Sequence, residues 1–363
     1  MQEALTLAEQ GRGRTSPNPT VGAVLVQNGR VVGRGFHTWA GEDHAEIVAI
    51  REAGEAARGA TLFVTLEPCA HFGRTGPCTE AVVQAGIERV VAAMRDPNPA
   101  VCGAGFEYLR KAGVEVILDE SFTGMAEELN EPFIHFMRTG QPLVTIKAAL
   151  TLDGKIAAPQ DNFGWITSEV ARAAVQQVRH YSDAILTGLG TVLEDDCLLT
   201  DRSGLERSRP LLRIVLDSQL RIPLGSKMIS GAAGDVMVVC TSAAPNERRK
   251  ALEARGIKIL VADGPAGRTD PSMVLEYLAR ERYLSLMVEA GSHVNWTMLD
   301  GGIADKVLFY YAPKILGGLK SMPVAGGQGR MRRVDAIMLE RVRIRPVSID
   351  EFAVEAHVIK DRV

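Results

Sequence analysis

At 363 residues the chain exceeds what one hydrophobic core ordinarily organises, so two domains are expected. Its 46% apolar and 23% charged residues are those of an ordinary soluble globular protein, and no stretch has the length and apolarity of a membrane span or the pattern of a signal peptide. A net charge of −3 and a pI near 6.2 lack the basic excess that a nucleic-acid surface needs, and five cysteines without a regular framework point to a reducing compartment, the cytoplasm.

Along the first part, strand-like and helix-like runs alternate. Residues 21–26 and 31–35 read as strands, and the alanine-rich run 45–57 reads as a helix. Residues 61–66 form a strand running into the loop that holds Pro68-Cys69, and 78–85 begin a helix closed by Gly86. Strands at 89–93 and 114–118 flank a helix at 106–112, which together predict a layered α/β domain with its sheet covered on both faces. Gly124 reads as a mild breaker, 125–138 as one closing helix, and Thr139-Gly140-Gln141-Pro142 as the boundary, giving domains of 1–141 and 142–363. The second part restarts with a strand at 143–148 and a helix at 168–180, for which Ser168 is a suitable N-cap with Glu169 in the first turn. Strands at 184–187, 212–217, 236–240, 257–261 and 284–288 alternate with helical stretches. Strand 307–311 and runs near 339–344 and 352–358 follow without helices, predicting an antiparallel pair beside a mainly parallel sheet.

The chemistry begins with His44-Ala45-Glu46, Glu67-Pro68-Cys69 and Pro77-Cys78. One histidine and two cysteines make three ligands for one Zn²⁺ per chain, and a tetrahedral ion then keeps a fourth position open, as catalytic sites do. Glu46 stands where a general acid/base belongs, and His-x-Glu followed by Pro-Cys is the signature of zinc deaminases of nucleobase-like rings. Each of these residues alone would read as a buried small hydrophobe or a surface histidine; together they read as a metal site. The usual Pro-Cys-x-x-Cys is absent, since residues 70–77 separate the cysteines. His71 ranks second as a ligand because it lies two residues from Cys69. Cys78, opening a helix behind Pro77, is placed where the helix dipole favours a thiolate. Cys102, Cys197 and Cys240 read as packing residues.

The wider wording carries a resemblance. Pro17-Asn18-Pro19-Thr20-Val21-Gly22, Gly41-Glu42-Asp43-His44-Ala45-Glu46 and the run from Thr65 to Cys78, with Leu152-Asp153-Gly154-Lys155-Ile156-Ala157, Trp165-Ile166-Thr167-Ser168, Thr191-Val192-Leu193-Glu194-Asp195-Asp196 and Val288-Glu289-Ala290-Gly291, resemble the bifunctional deaminase/reductase of riboflavin biosynthesis over nearly the whole chain. The eight-residue insertion between the cysteines is itself characteristic of that family. Two departures are Cys197, where the family usually has proline, and a start a few residues short of a typical member. The resemblance implies a cytidine-deaminase-like three-layer domain followed by a dihydrofolate-reductase-like domain that binds NADPH. It implies hydrolytic deamination of a 2,5-diamino-6-ribosylaminopyrimidinone 5′-phosphate, then reduction of the ribosyl group to ribityl.

By the same resemblance, Asn18, His37 and Arg74 match deaminase substrate positions. Lys147, Phe163, Thr167, Asp195 and Glu289 match the reductase substrate site, with Arg179, Leu199 and Arg202 beside the ribose phosphate. Ala149, Trp165, Thr191, Asp195, Ser218, Gly291, Ser292, His293, Val294, Asn295, Trp296 and Thr297 match cofactor contacts. Two arginines suit a phosphate because guanidinium binds it in bidentate fashion. The proton donor of the reduction is Lys147 or Asp195, and Ser218 with nearby Arg221 is the candidate partner of a 2′-phosphate. Gly188-Leu189-Gly190 lacks the third glycine of a dinucleotide fingerprint, with Leu193 in its place, so a Rossmann domain is rejected. The run from Glu289 to His293, between a strand and a helical stretch, offers backbone N–H groups to a pyrophosphate, although a turn that merely needs glycine would read the same way. Two other readings are a nucleoside or tRNA deaminase fused to a nucleotide-binding regulatory domain, and a non-catalytic protein with structural zinc. The acidic charge balance and the cysteine spacing oppose the first, and Glu46 opposes the second. The expected partners are small pyrimidine ribonucleotides, with no nucleic acid and no membrane, in a homo-oligomer.

Overall fold

The computed structural model describes residues 1–70, 76–99, 101–160 and 164–360, so Arg74, Phe163 and the alternative ligand His71 lie outside the described residues. The chain divides into two compact units, Met1–Gln141 with Glu206–Arg209, and Pro142–Leu205 with Pro210–Val363.

In chain order the first unit runs α1 (Gln2–Glu9), β1 (Gly22–Gln27), β2 (Arg30–Phe36), α2 (Ala45–Ala53), β3 (Thr61–Val64), α3 (Cys78–Gln84), β4 (Arg89–Ala92), α4 (Ala104–Lys111), β5 (Glu115–Leu118), α5 (Thr123–Leu129) and α6 (Glu131–Thr139). Its sheet has the order β2-β1-β3-β4-β5, antiparallel across β2-β1-β3 and parallel from β3 to β5. Leu25, Leu62, Val64, Val90, Phe106 and Leu109 sit in its core. Two glycines of β2 set how closely α2 lies on the sheet: a methyl at Gly33 would fall 2.2 Å from the Ala49 carbonyl, and one at Gly35 2.2 Å from that of Ala45. That close seat brings the start of α2, with His44 and Glu46, to the end of the strands.

Two expected helices are shorter than their sequence patterns. The helix read over 45–57 ends at Ala53, because Gly54 adopts φ 54° and ψ −130°, and a 3₁₀ turn, Gly54–Ala57, follows. The single helix read over 125–138 is two, α5 and α6, with the break at Asn130. Pro132 has no N–H to continue the ladder, and the Asn130 side chain turns away to pair with both backbone groups of Thr20, Oδ1 accepting from N at 2.7 Å and Nδ2 donating to O at 2.9 Å. Gly124, expected to break the chain, lies in the first turn of α5.

The second unit runs β6 (Leu143–Thr151), β7 (Lys155–Ala157), α7 (Glu169–Tyr181), β8 (Ala184–Gly188), α8 (Leu189–Asp195), β9 (Leu212–Leu216), α9 (Lys227–Ser230), β10 (Val236–Cys240), α10 (Asn246–Glu253), β11 (Lys258–Val261), α11 (Pro271–Arg280), β12 (Ser285–Val288), α12 (Ser292–Asp300), β13 (Lys306–Ala312), β14 (Met322–Pro323), β15 (Leu339–Pro346) and β16 (Phe352–Val358). Ser168 caps α7, its hydroxyl accepting from Ala171 N. A nine-stranded sheet has the order β11-β10-β9-β8-β12-β6-β13-β16-β15. It is parallel from β11 to β13, and β16 and β15 add the expected antiparallel pair. The small sheet of β14 and β7 was not expected.

Strand order reverses between β8 and β12. From β8 the chain steps outward through β9, β10 and β11, then returns to place β12 on the other side of β8. Residues of α8 pack into one core layer (Leu189, Val192) and residues of α12 into the other (Val294, Met298), so the two helices leave neighbouring strands on opposite faces. Open α/β sheets bind ligands in the crevice that such a reversal leaves at the carboxyl ends of the strands.

Candidate active sites

In the first unit, His44 precedes α2, Cys69 follows β3, and Cys78 opens α3. Their ligand atoms lie within 4.8 Å of one another. The His44 Nδ1 is 3.1 Å from the Cys78 Sγ and 3.5 Å from the Cys69 Sγ, close to the edge of about 3.5 Å of a tetrahedron built on zinc–nitrogen and zinc–sulfur bonds. The backbone of α3 ties the pair: Cys78 N donates to the Cys69 Sγ at 3.3 Å, and Thr79 N to the Cys69 carbonyl at 3.2 Å. One imidazole and two converging sulfurs fit Zn²⁺.

His44, Glu46, Cys69 and Cys78 are close enough to shift one another's protonation. Hydrogen bonds from the Cys78 thiol and from His44 hold the Cys69 thiol down at about 4 against its burial, while the Cys69 bond and burial push the Cys78 thiol up. The hydrogen bond to Cys69 raises His44. Glu46 is buried beside them. Burial pushes its carboxyl up to about 7, His44 pulls the other way, and Cys69 adds to the rise. A divalent cation on the three ligands would favour the carboxylate again.

Asn18 and His37 meet at the same end of the sheet. Asn18 Nδ2 lies 3.1 Å from His37 Nε2, and His37 Nδ1 lies 3.1 Å from the Asp43 carbonyl. A carbonyl accepts only, so Nδ1 carries the proton and Nε2 accepts from the amide. Burial lowers the pKa of His37, which agrees with this neutral tautomer. Its ring stands edge-on to His44 at 5.3 Å, so these expected substrate residues lie beside the metal ligands. Asn130, which the sequence pattern did not single out, holds the loop bearing Asn18 through Thr20.

The second unit holds a cleft of about 2490 Å³ at the strand-order reversal. Glu289 follows β12, Lys147 lies on the neighbouring β6, and Arg179 lies on α7. Glu289 accepts from Lys147 Nζ at 3.1 Å and from Arg179 Nη2 at 2.9 Å and Nε at 3.1 Å. Burial disfavours the Glu289 carboxylate, but Lys147 and Arg179 outweigh it and its pKa is lowered. Arg179 Nη1 donates to the Thr200 carbonyl, so this arginine, expected beside a phosphate, is already the partner of Glu289. Arg202 also lines the cleft, and its guanidinium has no partner among the described residues. Asp195 ends α8 with its side chain exposed to the cleft and without a partner among the described residues; partial desolvation there, with Glu194 and Glu289 nearby, raises its pKa.

Of the other expected positions, Thr167, Leu199, Ala149, Trp165, Thr191, Ser218, Gly291, Ser292, His293, Val294 and Thr297 all line this cleft. Arg172, missed by sequence reasoning, orders the Trp165 stretch: its guanidinium stacks 4.8 Å from the Trp165 ring and donates to the Thr167 carbonyl. Asn295 and Trp296 do not line the cleft. Asn295 is fully buried, its Nδ2 donating to the Val324 carbonyl, and Trp296 packs against Gly327 beneath Arg330. Ser292, His293, Val294 and Thr297 line the cleft, whereas Asn295 is engaged by Val324, and Trp296, one turn beyond Ser292, by Gly327 and Arg330. The Ser292 hydroxyl is buried without a partner among the described residues, and the start of α12 has no side-chain cap, so both fit a phosphate-bearing ligand.

These two sites define a protein that joins a zinc-dependent deaminase to a nucleotide-binding reductase. Residues 1–94 match the cytidine and deoxycytidylate deaminase zinc-binding region, and residues 142–358 match the RibD C-terminal domain. The riboflavin biosynthesis protein RibD of Bacillus amyloliquefaciens is 40% identical over 354 residues, 96% of this chain and 93% of that protein. That of Escherichia coli is 40% identical over 365 residues, 96% of each. Among solved structures, Acinetobacter baumannii RibD superposes with a TM-score of 0.86 at 34% identity, covering 99% of this chain and 97% of that one. A Thermotoga maritima diaminohydroxyphosphoribosylaminopyrimidine deaminase/5-amino-6-(5-phosphoribosylamino)uracil reductase gives 0.83 at the same identity and coverage. The chain belongs to the RibD family, the bifunctional deaminase/reductases of riboflavin biosynthesis. Its fold is accordingly a cytidine-deaminase-like domain followed by the dihydrofolate-reductase-like domain of that family, whose reductase uses NADPH. No helix among the described residues is long and apolar enough to cross a membrane.

Proposed function

We propose that residues 1–141 deaminate a diaminohydroxyphosphoribosylaminopyrimidine and that residues 142–363 reduce the resulting 5-amino-6-(5-phosphoribosylamino)uracil. The observation that carries this reading is the convergence of His44, Cys69 and Cys78 beside the buried Glu46. Zinc held by those three side chains supplies the Lewis acidity that readies a water for attack. Glu46 takes a proton from that water and gives it to the ring nitrogen, then helps the amine depart as ammonia as the C–N bond breaks and a C–O bond replaces it. Asn18 and His37 hold the polar edge of the ring, and Arg74 assists them.

In the second unit NADPH, when bound, supplies a hydride for C1′ of the ring-opened ribose. The first-turn N–H groups of α12 and the Ser292 hydroxyl would hold its pyrophosphate, and Ala149, Trp165, Thr191, Ser218, Gly291, His293, Val294 and Thr297 would complete its bed. Asp195 suits the proton-donor role better than Lys147, since Asp195 has no partner among the described residues and a raised pKa, whereas Lys147 is held by Glu289. Arg202 has the free guanidinium for the substrate phosphate. Arg179 holds Glu289 in place, and Lys147, Thr167, Leu199 and Glu289 shape the substrate pocket, with Phe163 assigned to it by family resemblance alone.

The partners are small pyrimidine ribonucleotides rather than nucleic acid or membrane, in the cytoplasm, where five free thiols persist. A homo-oligomer is supported by β15, an edge strand exposed along its whole length with Val342 and Ile344 outward, and sedimentation would show it. Ammonia release and loss of NADPH absorbance with each nucleotide test the two activities separately. Release of ammonia from cytidine but not from the diaminopyrimidine would overturn the assignment.

A further inference from the structure

Glu67 lies between the end of β3 and the ligand Cys69, separated from it only by Pro68. Its side chain is buried, yet no cation among the described residues pairs with it. All its acceptors are filled by backbone: Oε1 accepts from Gly105 N at 2.9 Å and Phe106 N at 3.2 Å, and Oε2 from Gly103 N at 3.0 Å and Asp96 N at 3.1 Å. Three of those N–H groups belong to the start of α4, which Gly103 opens without a side-chain cap of its own. Helix starts are ordinarily capped by a neighbour in sequence. Here the cap is a carboxylate 36 residues earlier in the chain, on the loop that carries a metal ligand.

A second contact joins the same two segments. A methyl placed on Gly105 would lie 2.1 Å from the Pro68 carbonyl oxygen, so the helix start and the residue before Cys69 touch backbone to backbone. Beyond Pro68, the Cys69 carbonyl and sulfur are held by the N–H groups of Thr79 and Cys78. The path from α4 through Glu67 and Pro68 to Cys69 and α3 is continuous.

We propose that Glu67 is a positioning residue for the zinc site, seating Cys69 by clamping its loop to the start of α4. The proposal rests on His44, Cys69 and Cys78 holding zinc. Partners outside the ligand shell that fix ligand orientation ordinarily change metal affinity about 10–100-fold when removed. In the full-length holoenzyme, Glu67→Gln keeps the shape but turns an amide N–H₂ toward two of the four donors. Gly105→Ala improves intrinsic helix propensity while colliding with Pro68, so its effect comes from the contact alone. Leu109→Ala, a core residue of the same helix away from the clamp, serves as a control for plain loss of stability.

The measurements are zinc transfer to a chromogenic chelator well below the unfolding temperature, and the absorption bands of the cobalt-substituted protein. Glu67→Gln and Gly105→Ala should each release zinc about 10–100-fold faster and shift the cobalt bands, with NADPH-dependent reduction unchanged. Leu109→Ala should lower Tm yet release zinc at the wild-type rate. If Glu67→Gln does not fold, Gly105→Ala decides alone. Wild-type release in the clamp variants, or equally fast release from Leu109→Ala, overturns the proposal. Wild-type protein without zinc would overturn the three-ligand reading itself.

Discussion

The zinc site and the reductase cleft are built in opposite ways. The first gathers His44, Glu46, Cys69 and Cys78 from 35 consecutive residues (44–78), at the ends of two helices and a strand that pack directly together. The second draws Lys147, Arg179, Asp195, Ser218, Glu289 and Ser292 from three strands, three helices and the turns after them, and only the reversal between β8 and β12 brings them to one crevice. The difference teaches what each site depends on. The zinc site depends on a few side chains of fixed chemical type, so single substitutions should abolish it. The cleft depends on topology and on one buried ion-pair cluster, so its failures should be shared between activity and stability.

The largest effect should come from Cys78→Ser. Removing one of the two thiolates should strip most of the zinc and bring ammonia release to background, while reduction of supplied deaminated nucleotide persists; metal analysis beside both assays checks it. Full zinc and full activity in that variant would turn attention to His71. Glu46→Gln follows. It should keep zinc and lower kcat for ammonia release about 10²–10⁴-fold, because an amide cannot carry the proton.

The cleft should respond differently. Glu289→Gln leaves Lys147 and Arg179 buried without their shared carboxylate, which should cost roughly 3–5 kcal/mol in denaturant unfolding of the second unit and abolish reduction, with ammonia release unchanged. The pH dependence sharpens this. The folded pKa of Glu289 lies below its unfolded value of 4.5, so its stabilising contribution is present above pH 4.5 and is lost as pH falls through the lowered folded value. Stability of the wild type should fall over that acid range more steeply than that of Glu289→Gln. A smaller effect is expected at Asn130→Ala. Losing the paired hydrogen bonds to Thr20 should cost about 1–3 kcal/mol and raise KM for deamination more than it lowers kcat, by loosening the loop that presents Asn18.

The same contrast explains what could be read from the sequence. Residue types with distinctive chemistry in short motifs made the zinc ligands and Glu46 legible, and alternating apolar runs made most strands legible. The break at Asn130 was legible only in part: Pro132 marks it, but the hydrogen bonds that hold it run to Thr20, 110 residues away in sequence. Nor was the engagement of Arg179, since a guanidinium on a helix reads equally well as a phosphate ligand or as the partner of a distant carboxylate. Asn295 and Trp296 show the converse limit: a motif can mark a segment as functional, while contacts with distant residues such as Val324, Gly327 and Arg330 decide which of its side chains face the cleft. Glu67 stood inside a recognised motif, but its four backbone partners come from residues 96–106, which carry no motif of their own.

The central claim is that two separate sites, each complete within its own part of the chain, carry the two activities. Its most direct test is NADPH oxidation by folded Glu46→Gln supplied with the deaminated nucleotide, followed by absorbance of the reduced cofactor. The structure predicts a wild-type rate of reduction alongside ammonia release lowered about 10²–10⁴-fold. Loss of reduction together with deamination in that folded variant would contradict it.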